Sequence, residues 1–366
     1  MRFDAIALSL IFVLANVGCR APRGSTPISK VELREFGYQL RPPSAGLLAD
    51  YTELSFLSED RIMISVNQRV FNNNQFLTPA RSDDPPANIL IVDVQTGRIV
   101  SQGSMPAEKN PGAVQVVSDG RLAVWNLKGL QLCTPELRCD APLAGPGSVA
   151  VSPRGTRIVF GGNGMTPFRV LDAESLGEVA KYDDPKGRYG LVLGRGVIPG
   201  DAALLITRGT SQFASHRPGK ADKVVEFDLG GDFGASRFLN DETFVYLEHS
   251  SSEAIVADLD GRQLHRYKLQ KVYKAGFLPT ASGTRFGIHE YGFTFWNSVA
   301  HFDFLDFEDD RAPDFQRVRV MDVSSGNEVA RLEWDPERSF IEPQLSPGGH
   351  RLARVVGGVL EIVAVN

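Results

Sequence analysis

The sequence predicts an all-β fold assembled from repeats of one four-stranded antiparallel unit. The first supporting observation is the segment 148–182, where three apolar runs of strand length, at residues 149–151, 157–160 and 168–171, and a fourth at Glu178–Tyr182 alternate with turn residues. The second is that the same order of runs and turns recurs along nearly the whole chain. Repeated meanders of this size are the units of closed, radially arranged all-β architectures.

Seven such units can be delimited when the segment 148–182 is used as the template. They cover residues 54–100, 114–143, 148–182, 189–230, 235–269, 275–332 and 341–366. This count predicts one domain, residues 30–366, folded as a seven-bladed β-propeller. The last unit has only three strands, and an open edge there would leave the ring unclosed. We therefore expect an N-terminal strand, within residues 30–40, to pair beside residues 359–365.

The turns carry residues whose chemistry suits a tight change of direction. Ser152-Pro153-Arg154-Gly155 combines a preset φ, a local side-chain hydrogen bond and a glycine that tolerates positive φ. An aspartate is expected to close the third strand of five units, and a glycine to follow it in four. These residues are Asp93, Asp172, Asp228, Asp258 and Asp322, with Gly97, Gly177, Gly261 and Gly326. The aspartates are therefore interpreted as turn formers rather than catalytic groups.

The units resemble the bacterial β-propeller repeats of the YVTN and quinoprotein-dehydrogenase-like group, and more distantly WD repeats. The resemblance rests on the Ser-Pro-x-Gly and Asp…Gly turns and covers residues 30–366. It implies the architecture. Some quinoprotein-like propellers serve as the large subunit beside a small catalytic subunit, so a role in a redox enzyme also stays open.

Composition excludes one class of partner. The net charge is −5 and the pI is near 5.8, so the chain has no broad electrostatic attraction for phosphate backbones. Nucleic acid is not an expected partner.

The N-terminus is typical of an exported protein. Arg2 precedes an apolar run from Ala5 to Ala15, which is too short to span a bilayer but suits a secretory signal. We expect a signal peptide at residues 1–19, a linker at 20–29, and a location in the bacterial periplasm or cell envelope. Gly18-Cys19 resembles a lipoprotein cleavage box, which would make Cys19 a lipid anchor. Ordinary cleavage nearby, for example after Ala21, is the alternative.

Two cysteines remain after removal of the signal. Cys133 and Cys139 flank a Pro-containing turn, and in an oxidising compartment this pattern predicts a hairpin disulfide. Two thiolates alone are too few for a zinc site, and the spacing is not that of a redox motif.

Long insertions indicate where function could reside. If the strands of a blade are named a to d from the centre outward, the b–c and d–a loops open on one face, because strand direction alternates. The sequence predicts b–c insertions at residues 67–88, 209–222 and 289–316, all on that face. The third insertion carries eight aromatic residues: Tyr291, Phe293, Phe295, Trp296, Phe302, Phe304, Phe307 and Phe315.

The aromatic insertion either folds over the ring as a cap or presents a binding surface. On the second reading the residues expected to bind a ligand or partner are Tyr291, Phe293, Phe295, Trp296, His289, His301, His216 and Arg217. His289, His301 and Asp303 could be written as metal ligands, and the acids between Asp303 and Asp310 as a calcium site. Neither set has a diagnostic spacing, so no metal or cofactor is predicted.

The sequence analysis thus favours an exported, non-catalytic propeller that binds a protein or small ligand through the face with the insertions. One alternative is a periplasmic propeller enzyme, or the large subunit of a dehydrogenase-like enzyme. The other is a purely structural envelope protein. The chain carries no nucleophile elbow or Walker loop, which leaves the question of catalysis to the geometry of the site.

Overall fold

The protein is described by a computed structural model covering residues 26–36, 48–70, 87–105, 114–126, 128–143, 148–161, 168–182, 197–208, 211–217, 225–228, 233–248, 252–269, 274–292, 315–334 and 341–365. Within these ranges the strands form seven antiparallel sheets. The chain is a seven-bladed β-propeller, as the sequence predicts. None of the described residues forms a helix of the length and apolarity needed to cross a membrane.

One strand and a short 3₁₀ turn precede the first blade, and the blades then follow one another in chain order. The first described elements are β1 (Pro27–Glu32) and the 3₁₀ turn η1 (Leu33–Phe36). Blade 1 contains β2 (Leu48–Ser58), β3 (Arg61–Val70), β4 (Ala87–Asp93) and β5 (Ile99–Met105). Blade 2 contains β6 (Val114–Val116), β7 (Leu122–Asn126) and β8 (Gly129–Cys133). Blade 3 contains β9 (Ser148–Val151), β10 (Arg157–Gly161), β11 (Phe168–Asp172) and β12 (Glu178–Tyr182).

The remaining blades repeat the pattern. Blade 4 contains β13 (Val197–Pro199), β14 (Leu204–Arg208), β15 (Gln212–His216) and β16 (Val225–Asp228). Blade 5 contains β17 (Phe233–Phe238), β18 (Thr243–Glu248), β19 (Glu253–Asp258) and β20 (Gln263–Lys268). Blade 6 contains β21 (Lys274–Pro279), β22 (Arg285–Gly292), β23 (Phe315–Asp322) and β24 (Glu328–Trp334). Blade 7 contains β25 (Gln344–Leu345), β26 (Arg351–Val356) and β27 (Val359–Ala364), and β1 completes it.

The b and c strands are apolar on both faces because each blade is packed between two others. In blade 5, β18 and β19 each have four consecutive buried residues, whereas the outer strand β20 is mostly exposed. The described hydrophobic residues form seven clusters, and each cluster joins two consecutive blades. The core therefore lies between the blades rather than inside any one of them.

The predicted ring closure is confirmed, with different strand bounds. β1 pairs antiparallel with β27, from Pro27 opposite Val363 to Glu32 opposite Val359. The strand thus begins before the expected residue 30 and gives way to η1 at Leu33, whose N–H donates to the carbonyl of Gly358 at 2.9 Å. The register follows the apolar pattern, because Val31 and Leu33 are the residues that reach the cluster between blades 7 and 1.

Backbone hydrogen bonds join the a–b turns of blades 2 and 3, and those of blades 6 and 7. Ser118 N–H donates to the Gly155 carbonyl at 3.0 Å, and Ser282 N–H donates to the Pro347 carbonyl at 2.9 Å. Gly155 has a φ of +74°, and a Cβ there would lie 2.4 Å from the nitrogen of Ser118. A glycine is therefore required by both the backbone conformation and the contact with the neighbouring blade.

Arginines at the start of the b strands of blades 2, 6 and 7 each link their blade to the next. Arg121 Nη2 donates to the Glu174 carbonyl at 3.0 Å, and Arg285 Nη1 donates to the Gly349 carbonyl at 3.3 Å. Arg351 Nη1 donates to the carbonyl of Glu59, which joins blade 7 to blade 1. These arginines were not singled out by the turn pattern, although the residue type recurs at that position.

The side-chain amide of Gln115 links the innermost strands of blades 2 and 3, because it forms the two hydrogen bonds that a backbone amide would form. Its Nε2 donates to the Val149 carbonyl at 3.0 Å, and its Oε1 accepts from the Val151 N–H at 2.8 Å. The side-chain amide thus satisfies two backbone groups on the exposed edge of β9.

The predicted hairpin disulfide joins Cys133 and Cys139. The sheet of blade 2 has three strands, and the residues after Cys133 continue along the edge of β8. Leu143 forms an isolated antiparallel bridge with Leu130, and the two cysteines form another. The disulfide hairpin therefore covers the edge that a fourth strand covers elsewhere.

The predicted role of the aspartates holds at four of five positions. Asp93, Asp172, Asp258 and Asp322 each end the third strand of their blade. Asp228 ends the fourth strand of blade 4, so that prediction was wrong. In the turn after Asp322 the carboxylate accepts hydrogen bonds from the backbone of Ser325 and the hydroxyls of Ser324 and Ser325, which lower its pKa to about 2.

Closure by β1 can be tested at Leu33, whose side chain is fully buried. We expect Leu33→Ala to lower the free energy of unfolding by about 3 kcal/mol, because it leaves a cavity between blades 7 and 1. Urea unfolding followed by circular dichroism measures this change. Glu32→Ala, at an exposed position of β1, is the control and should change the value little. Equal losses in the two variants would contradict the assigned closure.

The Asp322 turn makes stability depend on pH. Its pKa is depressed in the folded state, so the ionised carboxylate stabilises the fold above the unfolded-state pKa, and this contribution is lost as pH falls toward about 2. Between about pH 5 and about pH 2, the free energy of unfolding should therefore fall less steeply in Asp322→Asn than in the wild type. Asp260→Asn is the control, because Asp258 accepts the hydrogen bonds in the equivalent turn of blade 5. Identical pH profiles for Asp322→Asn and the wild type would exclude this role.

Candidate functional site

Two of the three predicted insertions open on one face of the ring. Residues 71–86 connect β3 to β4, and residues 293–314 connect β22 to β23, so the predicted bounds 67–88 and 289–316 were too wide at both ends. Both connections join a b strand to a c strand, so both leave the blades on the same side as the d–a loops. We call this side the insertion face, and the side of the a–b and c–d turns the turn face.

The third predicted insertion was wrong. The strand β15 occupies the middle of residues 209–222, so the b–c connection is only 209–211. His216 is the last residue of β15 and Arg217 follows it, which places both where the c–d connection starts rather than in a b–c loop. The sequence Gln-Phe-Ala-Ser-His has only two apolar residues, so it gave a weak strand signal.

His216 takes part in a contact between blades instead. Its Nδ1 lies 2.6 Å from the hydroxyl of Tyr182, and the two rings meet edge to face. Phe168 stacks on the other side of Tyr182, with ring centroids 5.1 Å apart. These three rings belong to blades 3 and 4, and they give His216 a packing role.

On the insertion face, the β2–β3 hairpin of blade 1 extends beyond the rest of its sheet. The pairing of β3 with β4 ends at Val66 opposite Asn88. The pairing of β2 with β3 continues from Tyr51 opposite Asn67 to Leu48 opposite Val70. The b strand of blade 1 therefore continues to Val70 as part of a two-stranded ladder before the connection 71–86 starts.

In blade 6, a buried ion pair lies at the root of the aromatic insertion. Arg317 Nε donates to Glu290 Oε2 at 2.5 Å across the β22–β23 ladder, where the two residues are directly opposite. The side chain of Glu290 is fully buried and that of Arg317 is 8% exposed. The guanidinium of Arg317 also lies over the ring of Phe315, 5.4 Å from its centroid.

The pair continues outward into a chain of charged side chains. Arg319 Nη1 lies 3.8 Å from Glu290 Oε1, and its Nε donates to Glu328 Oε2 at 2.8 Å. Arg319 Nη1 also donates to the Lys268 carbonyl of blade 5 at 3.1 Å. Burial disfavours the charge of Glu328, but hydrogen bonds from Arg331 and Arg319 outweigh it and lower its pKa. The charges thus fix one side of the insertion root against blade 5.

The other side of the root faces blade 7 and is built on His289. The imidazole Nε2 lies 3.0 Å from the side-chain nitrogen of Gln316, and both residues are buried. The ring of His289 stacks on Trp334 at 6.2 Å with an interplanar angle of 11°. The guanidinium of Arg354 covers Trp334 at 5.0 Å. His289 therefore holds a position predicted for binding, but it is packed in a stack that joins blades 6 and 7.

The stack ends in ion pairs that involve the closing strand. Arg354 Nη2 lies 2.9 Å from Glu361 Oε2, and Lys30 Nζ lies 2.8 Å from Glu361 Oε1. Burial disfavours the charge of Glu361, but hydrogen bonds from Lys30 and Arg354 outweigh it and lower its pKa. The root of the insertion is thus connected through four side chains to β1.

The central channel opens beside this root. It has a volume of about 910 Å³ and is lined by described residues of blades 1, 2, 3, 5, 6 and 7, among them His289, Gln316 and Glu342. Gly276 lies opposite His289 on the innermost strand, and a Cβ there would lie 2.6 Å from Glu342 Oε1. Because Gly276 has no side chain, the Glu342 carboxylate can pack against its backbone in the channel wall.

The remaining predicted site residues lie wholly or partly outside the described residues. Phe293, Phe295, Trp296 and His301 are outside the described residues, as is Cys19, and only the backbone of Tyr291 is described. Among the described residues, no group of three or more His, Cys, Asp or Glu side chains is arranged to hold a metal ion.

The polar root of the insertion was missed by the sequence analysis, apart from His289. Its signal was present as charged and polar residues inside strand patterns, in His-Glu at 289–290 and Gln-Arg-Val-Arg at 316–319. Charged residues are almost never fully buried unless they are paired. The prediction of one insertion at residues 289–316 hid this signal, because it assigned Glu290 to a loop and not to a strand.

Solved structures share this architecture. KlHsv2 with its loop 6CD replaced by a Gly-Ser linker is similar at a TM-score of 0.51 with 10% identity, over 87% of this chain and 90% of that chain. Chaetomium thermophilum Raptor is similar at a TM-score of 0.54 with 11% identity, over 95% of this chain and 29% of that chain. At these identities the likeness concerns the fold alone. No protein-family model matches the chain, and no curated protein matches it in sequence.

The buried ion pair can be tested with a double-mutant cycle. We expect Glu290→Gln to lower the free energy of unfolding by about 3 kcal/mol, because it leaves the buried guanidinium of Arg317 without its carboxylate partner. The double variant Glu290→Gln/Arg317→Gln should lose less than the sum of the two single variants. Urea unfolding measures all four proteins, and strictly additive losses would show that the two side chains are not coupled.

Proposed function

We propose that this chain is an exported, non-catalytic β-propeller that binds a protein partner or small ligand through its insertion face. The observation that carries the proposal is the shared origin of the two insertions. Residues 71–86 and 293–314 emerge on the same side of the ring, each from a root that the fold holds in place. A propeller fold is a common scaffold for protein interaction, and such scaffolds bind through the loops on one face.

The structure of the root favours a binding role for residues 293–314. A loop that binds a partner loses less entropy on binding when its ends are fixed beforehand. The Glu290–Arg317 pair fixes one side of the root, and the His289–Trp334–Arg354 stack fixes the other. The aromatic residues between these ends are of the type that is enriched at the centre of protein interfaces.

Export is proposed on the N-terminal signal pattern and is supported by the disulfide. Cys133 and Cys139 are placed to form a disulfide, which persists in oxidising compartments such as the bacterial periplasm. A lipid on Cys19 would hold the propeller at the membrane surface, and cleavage after Ala21 would release it. Either route places the insertion face in the cell envelope.

We also propose that the repeats of this chain belong to the bacterial YVTN or quinoprotein-like group, on the basis of their turn residues. The Ser-Pro-x-Gly and Asp…Gly turns that suggested it lie at the ends of the strands, where they determine the path of the chain. Within that group a partner could be a small catalytic subunit, so an enzyme is one class of protein that the experiment below can recover.

The test replaces residues 293–314 with a Gly-Ser linker between Gly292 and Phe315. Tagged mature protein is cross-linked in envelope extract of its native host, and the captured proteins are identified by mass spectrometry. We expect the wild type to capture a partner that the variant does not, because the aromatic residues of the insertion have been removed.

The matched control is a Gly-Ser replacement of residues 218–223 in the c–d connection of blade 4, on the turn face. This control should capture the same partner as the wild type. If all three proteins capture the same set, the insertion face is not the binding surface. Circular dichroism of the three proteins shows that the ring is intact in each.

A further inference from the structure

The central channel has a second mouth, on the turn face, that differs in charge from the mouth beside His289. The innermost strands end there in the a–b turns, and Glu59, Ser118, Arg154 and Arg237 line this end. Each belongs to a different blade. The hydrogen bonds of these side chains decide which charges remain available to a ligand.

The carboxylates at this mouth already serve contacts between blades. Glu59 Oε1 accepts from the Gly348 N–H, which joins blade 1 to blade 7. Asp201 accepts from the hydroxyls of Ser152 and Thr156 at 2.7 and 2.5 Å, which joins blade 4 to blade 3. Asp241 accepts from Arg154 Nη2. The acidic groups are therefore held in structural hydrogen bonds.

Arg154 is engaged by the same contacts. Its guanidinium donates to Asp241, which raises its pKa, and its Nε lies 3.5 Å from Asp201 Oδ2. With two carboxylates beside it, Arg154 presents little net charge to the channel. It connects the a–b turns of blades 3, 4 and 5.

Arg237 is different. It lies in β17 opposite Val245, one residue before the end of the strand, and it lines the channel. Its Nη1 donates to the Ser236 carbonyl at 2.9 Å. In the described part of the chain no carboxylate pairs with it. A guanidinium has five N–H donors, so most of those of Arg237 are available to a ligand.

We propose that the turn-face end of the channel binds an organic anion, a carboxylate or a phosphate monoester, through Arg237. A guanidinium forms two parallel hydrogen bonds with such a group, and these charge-assisted bonds are among the strongest in proteins. The low-dielectric walls of a cleft focus the field of the cation on the ligand. The channel volume of about 910 Å³ leaves room for the body of the ligand along the inner strands.

The hydroxyl of Ser118 and the edges of the innermost strands complete the site. An edge strand carries backbone N–H and C=O groups that are not used within its sheet. Blades 2 and 5 present such edges to the turn-face half of the channel. The site lies on the opposite side of the ring from the insertions, so this proposal does not rest on the proposed function.

The first experiment titrates the protein with inorganic phosphate and, separately, with succinate by isothermal calorimetry, with sodium chloride holding the ionic strength constant. We expect saturable binding of at least one anion, and the tighter of the two identifies the head group. Arg237→Gln should weaken that binding at least about tenfold, and Arg237→Lys less, because lysine keeps the charge but not the planar fork.

The matched control is Arg262→Gln, which removes an arginine from the rim of the same blade and leaves the channel unchanged. It should bind as the wild type does. Binding that is equal in Arg237→Gln and the wild type would overturn the proposal, as would the absence of saturable binding of both anions to the wild type.

A second measurement needs no variant. Phenylglyoxal modifies accessible arginines, and peptide mass mapping gives the rate at each position. Saturating anion should slow modification of Arg237 and leave that of Arg262 unchanged. Equal rates at Arg237 with and without the anion would overturn the proposal.

Discussion

The packing of blade against blade is the interaction on which the rest of the structure depends. The b and c strands are apolar on both faces, so a single blade in water would leave two hydrophobic surfaces exposed. Each surface is covered by the neighbouring blade, and the described hydrophobic clusters all lie at these contacts. A row of such blades would still leave two faces uncovered at its ends. Only a closed ring covers every face, and this requirement explains the role of β1.

Hydrogen bonds between polar groups determine how each blade is positioned against the next. Hydrophobic contact alone does not determine this position. Hydrophobic burial is non-directional, whereas the bonds made by Gln115, Arg121 and Arg351 reach specific backbone groups of the next blade. Most of these bonds lie at the turn face, in the a–b and c–d turns. The turn face is therefore held by short turns and hydrogen bonds, and the insertion face carries the long connections.

Much of the fold could be predicted from sequence because its signals are local. Apolar runs of strand length and recurring turn residues identified all seven blades, and the four strands of the template unit were placed within one residue. The closing strand was predicted from the unpaired edge, although its bounds were set too late in the sequence. Blade 4 was misread at β15, because Ser215 and His216 are polar and half the strand pattern was missing.

The candidate site was harder to predict because its contacts connect distant parts of the chain. The sequence pointed to His289, but not to Trp334 and Arg354, which meet it only when blades 6 and 7 pack together. Glu290 and Arg317 are separated in sequence by the whole insertion, and their pairing depends on the register of β22 with β23. Such contacts follow from register and blade packing, which a local pattern does not specify.

The pairing of β1 with β27 has a consequence for the order of assembly. β1 belongs to the first part of the chain to be made, yet its partner strand is among the last. During synthesis or translocation β1 has no strand to pair with until blade 7 emerges, and the ends of the growing row of blades stay exposed for that time. An unpaired strand edge is a site of aggregation. The sequence of β1, Pro-Ile-Ser-Lys-Val-Glu, contains a proline and two charged residues. Such residues hinder the pairing of an edge strand with another chain, and so reduce aggregation before blade 7 has formed.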